Sequence, residues 1–549
     1  MNFETKQCQN CNKEFKIDSD DFEFYEKIKV PTPKLCFFCR LQKRLAFWLF
    51  GKFNRRKCDF SKENIISIHS HKTRFPVFKA TYWYSDQWQP PQMDYNFSCS
   101  FFDQLYNLQI KTPKPHQFGT NNLDCDYCDD VWDSKNCYLC RSMANCENLS
   151  YSYRTVRCRD SYDLSYCFDS EQSYDCSYLF KIYNVQYAFN VKNSIDSAFL
   201  YDCHNVNNCF MCWNLRNKGY YILNKPYSKE EYFQKLKEYN LGSWNIIQFL
   251  KKEFQKHIQQ NAIHRVDVNS KIIQSSGNYL SECKRCRSSY FLENSENCAY
   301  CFRGPGGNKD AYDATGIWKG ELIYDVNQLT QGYNLKYSNY CTNCCDSEYL
   351  DFCVNCENCF GCVGLKNGHY CILNKPYNKE EYEKLIKSIK DSMMTEGVYG
   401  DFFPYKMAYG GYNLSLAGVF FPKTKEEINK MGALWEDIEE TNTNIDIAPF
   451  IDDITMVKDD VLQKALICEE SNRPFNLRKD ELEFFRKHVI PLPHNYPDIR
   501  TLKRVRDLFC VVPINVHCFF CDKEITTYYP QEWNYKKIAC EKCYLAEVA

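Results

Sequence analysis

NNCFMCWNLRNKGYYILNKPYSKEEY, residues 207–232, returns 150 residues later as ENCFGCVGLKNGHYCILNKPYNKEEY, residues 357–382, with no gap between the copies. Each copy ends on a helix start. Ser228 and Asn378 are good N-caps, and Glu231 and Glu381 three residues on complete capping boxes. Tyr232, Leu236 and Tyr239 then recur at helical spacing. The helix is expected to cover the open end of whatever precedes it, as terminal caps do in repeat proteins. What precedes the first copy reads as short strands: NCYLC (136–140), LSYSY (149–153), DLSYC (163–167), DCSYLF (175–180), VQYAF (185–189), SAFLYDC (197–203), NCFMCW (208–213) and GYYIL (219–223). Asn, Asp and Ser fill the gaps, as tight turns require. Such segments cannot each bury a face alone, so they must stack. The expected fold class is a β-rich multidomain protein: duplicated β-solenoid-like Cys/Tyr-rich repeats, flanked by zinc-ribbon units, with short capping α-helices. A string of separate zinc knuckles is the alternative.

Comparing the copies sorts their cysteines. Cys345, Cys356 and Cys371 stand where the first copy has Ile195, Val206 and Tyr221. A position that accepts Ile or Val is an apolar interior, where Cys packs as a small hydrophobe. Cys353, Cys359 and Cys362 recur as Cys203, Cys209 and Cys212 and are weaker candidates for metal. The copy starts are stronger candidates: Cys125, Cys128, Cys137 and Cys140, then Cys283, Cys286, Cys298 and Cys301, each two CxxC pairs. Cys146, Cys158, Cys167 and Cys176 read as a stacked interior ladder. The second copy also carries GPGGNKDAYDATG (304–316), a Gly-rich loop with Asp310, Asp313 and, further on, Asp325. It lacks Walker or dinucleotide spacing and is either a plain loop or a site.

A second duplication brackets the first. At a shift of 460, Cys8, Phe15, Asp20, Phe24, Pro31, Arg40, Lys43, Arg44 and Cys58 fall on Cys468, Phe475, Asp480, Phe484, Pro491, Arg500, Lys503, Arg504 and Cys518. The front copy keeps Cys8, Cys11, Cys36 and Cys39, whose counterparts are Cys468, Ser471, Tyr496 and Ile499. The rear copy keeps Cys518, Cys521, Cys540 and Cys543, whose counterparts are Cys58, Ser61, Ala80 and Trp83. Each end thus holds one intact and one degenerate quartet. Two CxxC turns complete a tetrahedron around Zn²⁺. Four thiolates leave no position for water or substrate, which argues against Lewis-acid catalysis there. His69 and His71 with Cys58 are a minor metal candidate in the degenerate front ribbon.

The stretch CQNCNKEFKIDSDDFEFYEKIKVPTPKLCFFCRLQKR, residues 8–44, resembles the probable zinc-ribbon, treble-clef-like family. The resemblance covers CxxC, the Phe four residues on, the acidic-aromatic FY segment, a proline and CxxCR with trailing basic residues. It implies zinc binding at the four cysteines and no defined activity. The whole arrangement resembles larger cysteine-rich multi-zinc-ribbon proteins of small-genome bacteria.

The 549 residues carry 69 Lys and Arg against 70 Asp and Glu, so no global field drives the chain toward nucleic acid or membrane. Local patches remain: Arg40, Lys43, Arg44, Arg55 and Arg56 in front, Arg500, Lys503 and Arg504 behind. A basic helix beside a zinc knuckle can clamp RNA or DNA phosphates; a solvated face paired with local acids is the alternative. Thirty-five cysteines, an odd number, fit thiolates on zinc in a reducing cytoplasm better than a disulfide framework. The N-terminus, MNFETKQCQN, has no signal-peptide pattern, and Leu45–Phe50 is too short to span a bilayer. No Ser-His-Asp order, HExxH, Rossmann or kinase signature is present.

The expected organisation is a tandem zinc-ribbon unit over 1–90, a linker over 91–121, repeat copies with capping helices over 122–262 and 275–395, a helical and acidic connector over 396–462, and a second tandem zinc-ribbon unit over 463–549. Two helices, 243–259 and one capped by Thr424 and Glu427, are expected between them. The expected function is a zinc-stabilised cytosolic scaffold for a protein or nucleic-acid partner. An enzyme on the Gly-rich loop and a thiol redox protein are the alternatives.

Overall fold

The computed structural model describes residues 3–548 except Pro305, Ile317 and 438–445; of Trp318, Lys319 and 328–330 only the backbone is described. Residues 438–445 of the expected helical and acidic connector lie outside the described residues. The protein is β-rich, with twelve α-helices and several sheets among the described residues. No helix is long and apolar enough to cross a membrane. The chain divides into two compact units, each assembled from two separate stretches: residues 1–117 with 267–437, and residues 118–266 with 438–549.

In the second of these units, 118–223 runs as a parallel array. Leu164 pairs with Cys176, Lys192 with His204 and His204 with Arg216, always twelve residues apart. The cause is a bend at every third residue. From Asn121 to Leu223 each third residue has φ between +46° and +61°. That left-handed conformation is costly for most side chains and least so for Asn and Asp, which fill most of these corners. Four three-residue sides bring the chain back over its start after twelve residues.

The residue after each corner points inward. Cys128, Val131, Cys137, Cys140, Met143, Cys146 and Leu149 are all buried in one core. Inside, polar groups must be satisfied. Ser134 Oγ donates to the Trp132 carbonyl at 2.8 Å and accepts the Cys146 N–H at 3.1 Å. Thiols at the same register do likewise: Cys128 Sγ donates to the carbonyls of Asp126 and Cys137, both at 3.4 Å. Cys, Ser and Thr suit these positions because each is small and carries one donor. On the outside, corner amides link consecutive circuits, as Asn136 does to Asn148 at 3.1 Å and Asn148 to Asp160 at 2.7 Å.

The helix Lys229–Leu236 follows with the expected capping box, and Tyr232 is buried beneath it. Helix Trp244–Gln260 buries Ile247, Leu250, Phe254 and Ile258. Strand Ile263–Arg265 then pairs with Lys537–Ala539.

The other unit repeats the scheme over 268–372. Asn327 pairs with Asn339 and Tyr333 with Cys345, again twelve apart. The Gly-rich segment is where the count slips. Glu296, Ala299 and Phe302 bridge to Lys309, Tyr312 and Thr315, thirteen residues on, and the step returns to twelve between Thr315 and Asn327. Gly306 and Gly307, at φ +53° and +79°, absorb the extra residue. The segment is therefore a one-residue insertion in an array circuit. Helix Lys379–Thr395, with its Asn378 and Glu381 capping box, closes this array and buries Tyr382, Ile389 and Met393. The helix capped by Thr424 and Glu427 spans Lys425–Lys430.

Antiparallel hairpins stand at the two chain ends: Glu4–Gln7 with Glu14–Ile17 and Asn54–Lys57 with Asn64–Ser67 in front, Leu466–Ile467 with Pro474–Phe475 and Ile514–His517 with Glu524–Thr527 behind. Helices Phe37–Leu45 and Pro497–Asp507 each follow the first hairpin of their pair. Their inner faces are basic and lie on the array of the same unit. Arg40 bonds Asp313 at 2.7 Å, and Arg44 pairs with Asp313 and Asp325. Arg500 bonds Asp163 at 2.5 Å, and Arg504 pairs with Asp163 and Asp175.

Candidate metal centres

The front centre begins at a tight turn. The Asn12 N–H returns to the Cys8 carbonyl at 2.9 Å with Asn12 at φ +57°, which holds Cys8 and Cys11 on one side. Cys36 is the N-cap of helix Phe37–Leu45, and Cys39 lies on its first turn. The Cys36 N–H donates to Cys8 Sγ at 3.3 Å, and Asn10 Nδ2 donates to Cys39 Sγ at 3.2 Å. All four sulfurs lie within 4.8 Å of one another. Hydrogen bonds from the Cys39 thiol and backbone N–H and from the Cys11 and Cys8 thiols bring Cys36 down to about 5 against its burial, and its thiolate in turn pushes the Cys39 thiol up. Burial raises Cys11.

The rear centre has the same construction. The Asp522 N–H bonds the Cys518 carbonyl at 2.9 Å with Asp522 at φ +56°. The Cys540 N–H donates to Cys518 Sγ at 3.3 Å, and Cys543 lies on helix Glu541–Val548. Burial works to raise Cys518, but N–H donors from Cys540, Cys521 and Phe520 outweigh it and bring the thiol to about 6.

The donor set fits a tetrahedral ion. Zn–S bonds of about 2.3 Å imply sulfur–sulfur edges of about 3.8 Å. The Cys11–Cys36 edge is 3.7 Å and the Cys521–Cys540 edge is 3.8 Å. Either quartet could hold a metal ion through four thiolates. The two differ in access: Cys8, Cys36 and Cys39 are buried, whereas Cys540 and Cys543 are half-buried and Cys521 is exposed.

The degenerate sites keep one cysteine each for a visible reason. Cys58 Sγ accepts the N–H groups of Ser61 at 3.4 Å and Lys79 at 3.2 Å, the job that Cys8 and Cys518 do for their own turns. Cys468 donates to Asn495 Oδ1 at 3.6 Å, and nearby His494 meets Glu469 at 2.6 Å. His69 does not join Cys58 in any metal-competent group among the described residues. It is buried with its ring edge-on to Phe75, and burial holds it at about 3, neutral.

Cys125, Cys128, Cys137 and Cys140, like Cys283, Cys286, Cys298 and Cys301, form no metal-competent group among the described residues. In the arrays CxxC is two consecutive inward positions, and a further twelve residues is the circuit above. Cys140 Sγ donates to the carbonyls of Tyr138 and Leu149, and Cys286 Sγ to those of Lys284 and Ser295. Cys353, Cys359 and Cys362 sit inside in the same way, donating to backbone carbonyls. Cys356 and Cys371 are buried as expected, but Cys345 faces outward beside Asp346 and Glu357.

Of the residues read as phosphate contacts, Arg40, Arg44 and Arg504 are buried and Arg500 half-buried, all four turned onto array aspartates rather than outward as a surface clamp. Lys503 pairs with Glu470, Arg56 bonds Asp59 at 3.0 Å, Lys43 is half-buried, and Arg55 is exposed. Burial lowers Lys43. The acids of the Gly-rich segment are also accounted for: Asp310 pairs with Lys27 at 3.6 Å, while Asp313 and Asp325 hold the two front arginines.

Set against protein-family models and curated protein sequences, the chain matches none.

Proposed function

We propose that the chain is a zinc-stabilised scaffold: two β-solenoids, each packed against a tandem zinc-ribbon unit, that present their outer faces to a macromolecular partner. The observation that carries this reading is the pair of closed four-thiol quartets with tetrahedral edges of 3.7 and 3.8 Å. A metal held by four sulfurs has no open position for chemistry, so its contribution is shape. The step of twelve residues with a corner at every third position supports the solenoid reading. Thirty-five cysteines, none in a disulfide, support a reducing cytoplasmic compartment.

A protein partner is favoured over RNA or DNA, because the four arginines best placed to meet phosphate are already spent on aspartates. Native mass spectrometry of the purified full chain is expected to give two zinc ions per chain. A folded chain free of metal would overturn the reading. In gel shifts at low salt no salt-sensitive RNA or DNA complex is expected; one that weakens steeply with salt would move the partner to nucleic acid.

A further inference from the structure

Within the unit formed by 1–117 and 267–437, a cleft of about 180 Å³ opens between the segment around Arg74, the helix Phe101–Lys111 and the connector around Gly410 and Trp435. Its walls are aromatic: Phe75 and Tyr409 are buried, Tyr106 and Trp435 half-buried. Two of its lining residues carry charges with no ionic partner among the described residues. Arg74 donates only to neutral oxygens, the Tyr106 hydroxyl at 2.7 Å and the Lys406 carbonyl at 2.9 Å. Its guanidinium lies 5.4 Å from the Tyr106 ring centre. Glu436 is fixed through its backbone, with N–H to Asn413 Oδ1 at 3.1 Å and carbonyl to Asn413 Nδ2 at 2.8 Å, while its carboxylate accepts no hydrogen bond among the described residues.

The neighbouring charges are matched off. Lys406 pairs with Asp103 at 2.5 Å, and Asp437 with Lys425 at 3.1 Å. Gly411 lets the connector approach Glu436: a β-carbon there would meet Glu436 Cβ at 2.8 Å. A guanidinium and a carboxylate left unmatched in one aromatic cleft are complementary to a small molecule bearing both opposite charges.

We propose that this cleft binds a free amino acid with an aromatic or large apolar side chain, Arg74 taking the α-carboxylate and Glu436 the α-ammonium. The aromatic walls receive the side chain. No quartet cysteine lines the cleft, and the proposal does not depend on what the quartets hold.

Isothermal titration of the full chain with L-phenylalanine tests it. Saturable one-to-one binding is expected, weakened about tenfold or more for N-acetyl-L-phenylalanine, which lacks the ammonium, and for L-phenylalanine amide, which lacks the carboxylate. Arg74→Gln is expected to weaken L-phenylalanine by a similar factor but to leave the amide unchanged. Glu436→Gln is expected to do the reverse, leaving the N-acetyl compound unchanged. Thermal melts of both variants that overlay the parent show that they fold. Absence of saturable heat with L-phenylalanine or L-leucine up to about 10 mM, or equal binding by parent and both variants, overturns the proposal.

Discussion

Arg504 Nη2 donates to Asp163 Oδ1 at 2.7 Å, with both side chains buried. Moved back by 460 along the basic helices and forward by 150 along the arrays, the pair becomes Arg44 and Asp313, at 3.6 Å in the other unit. The neighbours obey the same two shifts: Arg500 with Asp163 and Arg40 with Asp313, Phe484 on Tyr162 at 4.6 Å and Phe24 on Tyr312 at 3.6 Å. One docking arrangement therefore occurs twice. It also explains why the basic triplet outlives the cysteines in the degenerate rear ribbon: its arginines hold an array, whether or not the turn beside them holds a metal.

Asp163→Asn tests the docking. Asn tolerates the corner, where φ is +59°, but leaves Arg500 with only Glu481 at 3.6 Å and Arg504 with only Asp175 at 3.3 Å. Removing one partner of a buried ion pair costs about 3–5 kcal/mol. The triple change Asp163→Asn, Arg500→Met and Arg504→Met is expected to recover part of that loss, since both guanidinium charges are then gone, Asp175 keeps Lys251 and Glu481 keeps the Tyr151 hydroxyl. Urea unfolding of the three proteins reads the difference.

The interior thiols make a contrasting prediction. Cys176 Sγ donates to the carbonyls of Tyr174 at 3.2 Å and Val185 at 3.5 Å. Ser173, one inward position earlier, donates to Glu171 O at 3.0 Å with a hydroxyl. Cys176→Ser is therefore expected to cost less than about 1.5 kcal/mol. Cys176→Leu must push against a filled interior and costs about 1–3 kcal/mol. Denaturant midpoints check the order. Equal losses would mean that the thiol is neither a hydrogen-bond donor nor tightly packed.

Much of this was legible in the chain. Both quartets, the three capping boxes at Ser228, Asn378 and Thr424, and the parallel between the copies followed from spacing alone. The array period did not. Reading strands as runs of five to seven residues at a roughly regular step missed it, because a three-residue side is too short to show strand alternation. The usable signal was a different one: Cys125, Cys128, Val131, Ser134, Cys137, Cys140 and Met143 are small or apolar at every third place. The same register mimics CxxC, which is why array cysteines passed for zinc knuckles. The fate of Arg40 and Arg504 was hidden for another reason. Their partners lie 273 and 341 residues away in sequence, and a basic helix looks the same whether it faces water or buried aspartates.

The two quartets should release metal at different rates. With Cys521 exposed and Cys540 and Cys543 half-buried, an ion held at the rear would be open to a chelator; one held in front would sit behind buried Cys8, Cys36 and Cys39. Treatment with a chromogenic chelator is expected to remove zinc in two phases of equal amplitude. Cys540→Ser should abolish the fast phase alone, and Cys36→Ser the slow phase alone. A single phase in the parent chain, or loss of the wrong phase in either variant, contradicts the assignment.

His264 sets an acid limit on the unit that contains it. Its Nδ1 lies 2.7 Å from the Tyr201 hydroxyl and its Nε2 3.0 Å from the Ile258 carbonyl, so a neutral ring satisfies both partners. Burial holds its pKa near 3, well under the ordinary histidine value, with the bond to Ile258 opposing the shift. Between those values the unfolded chain binds a proton that the folded chain refuses. The unfolded state is thus favoured as pH falls, and stability is lost progressively from about 6.5 toward 3. The shift corresponds to a few kcal/mol in order of magnitude. His264→Gln retains polar groups without the titration. It is expected to destabilise at pH 7.5 through its poorer fit, yet to lose less additional stability than the parent between pH 6.5 and pH 4.5. Urea midpoints at several pH values in that range, compared as differences from pH 7.5, give the test. Parallel curves for parent and variant would show that the ring is not held neutral by the fold.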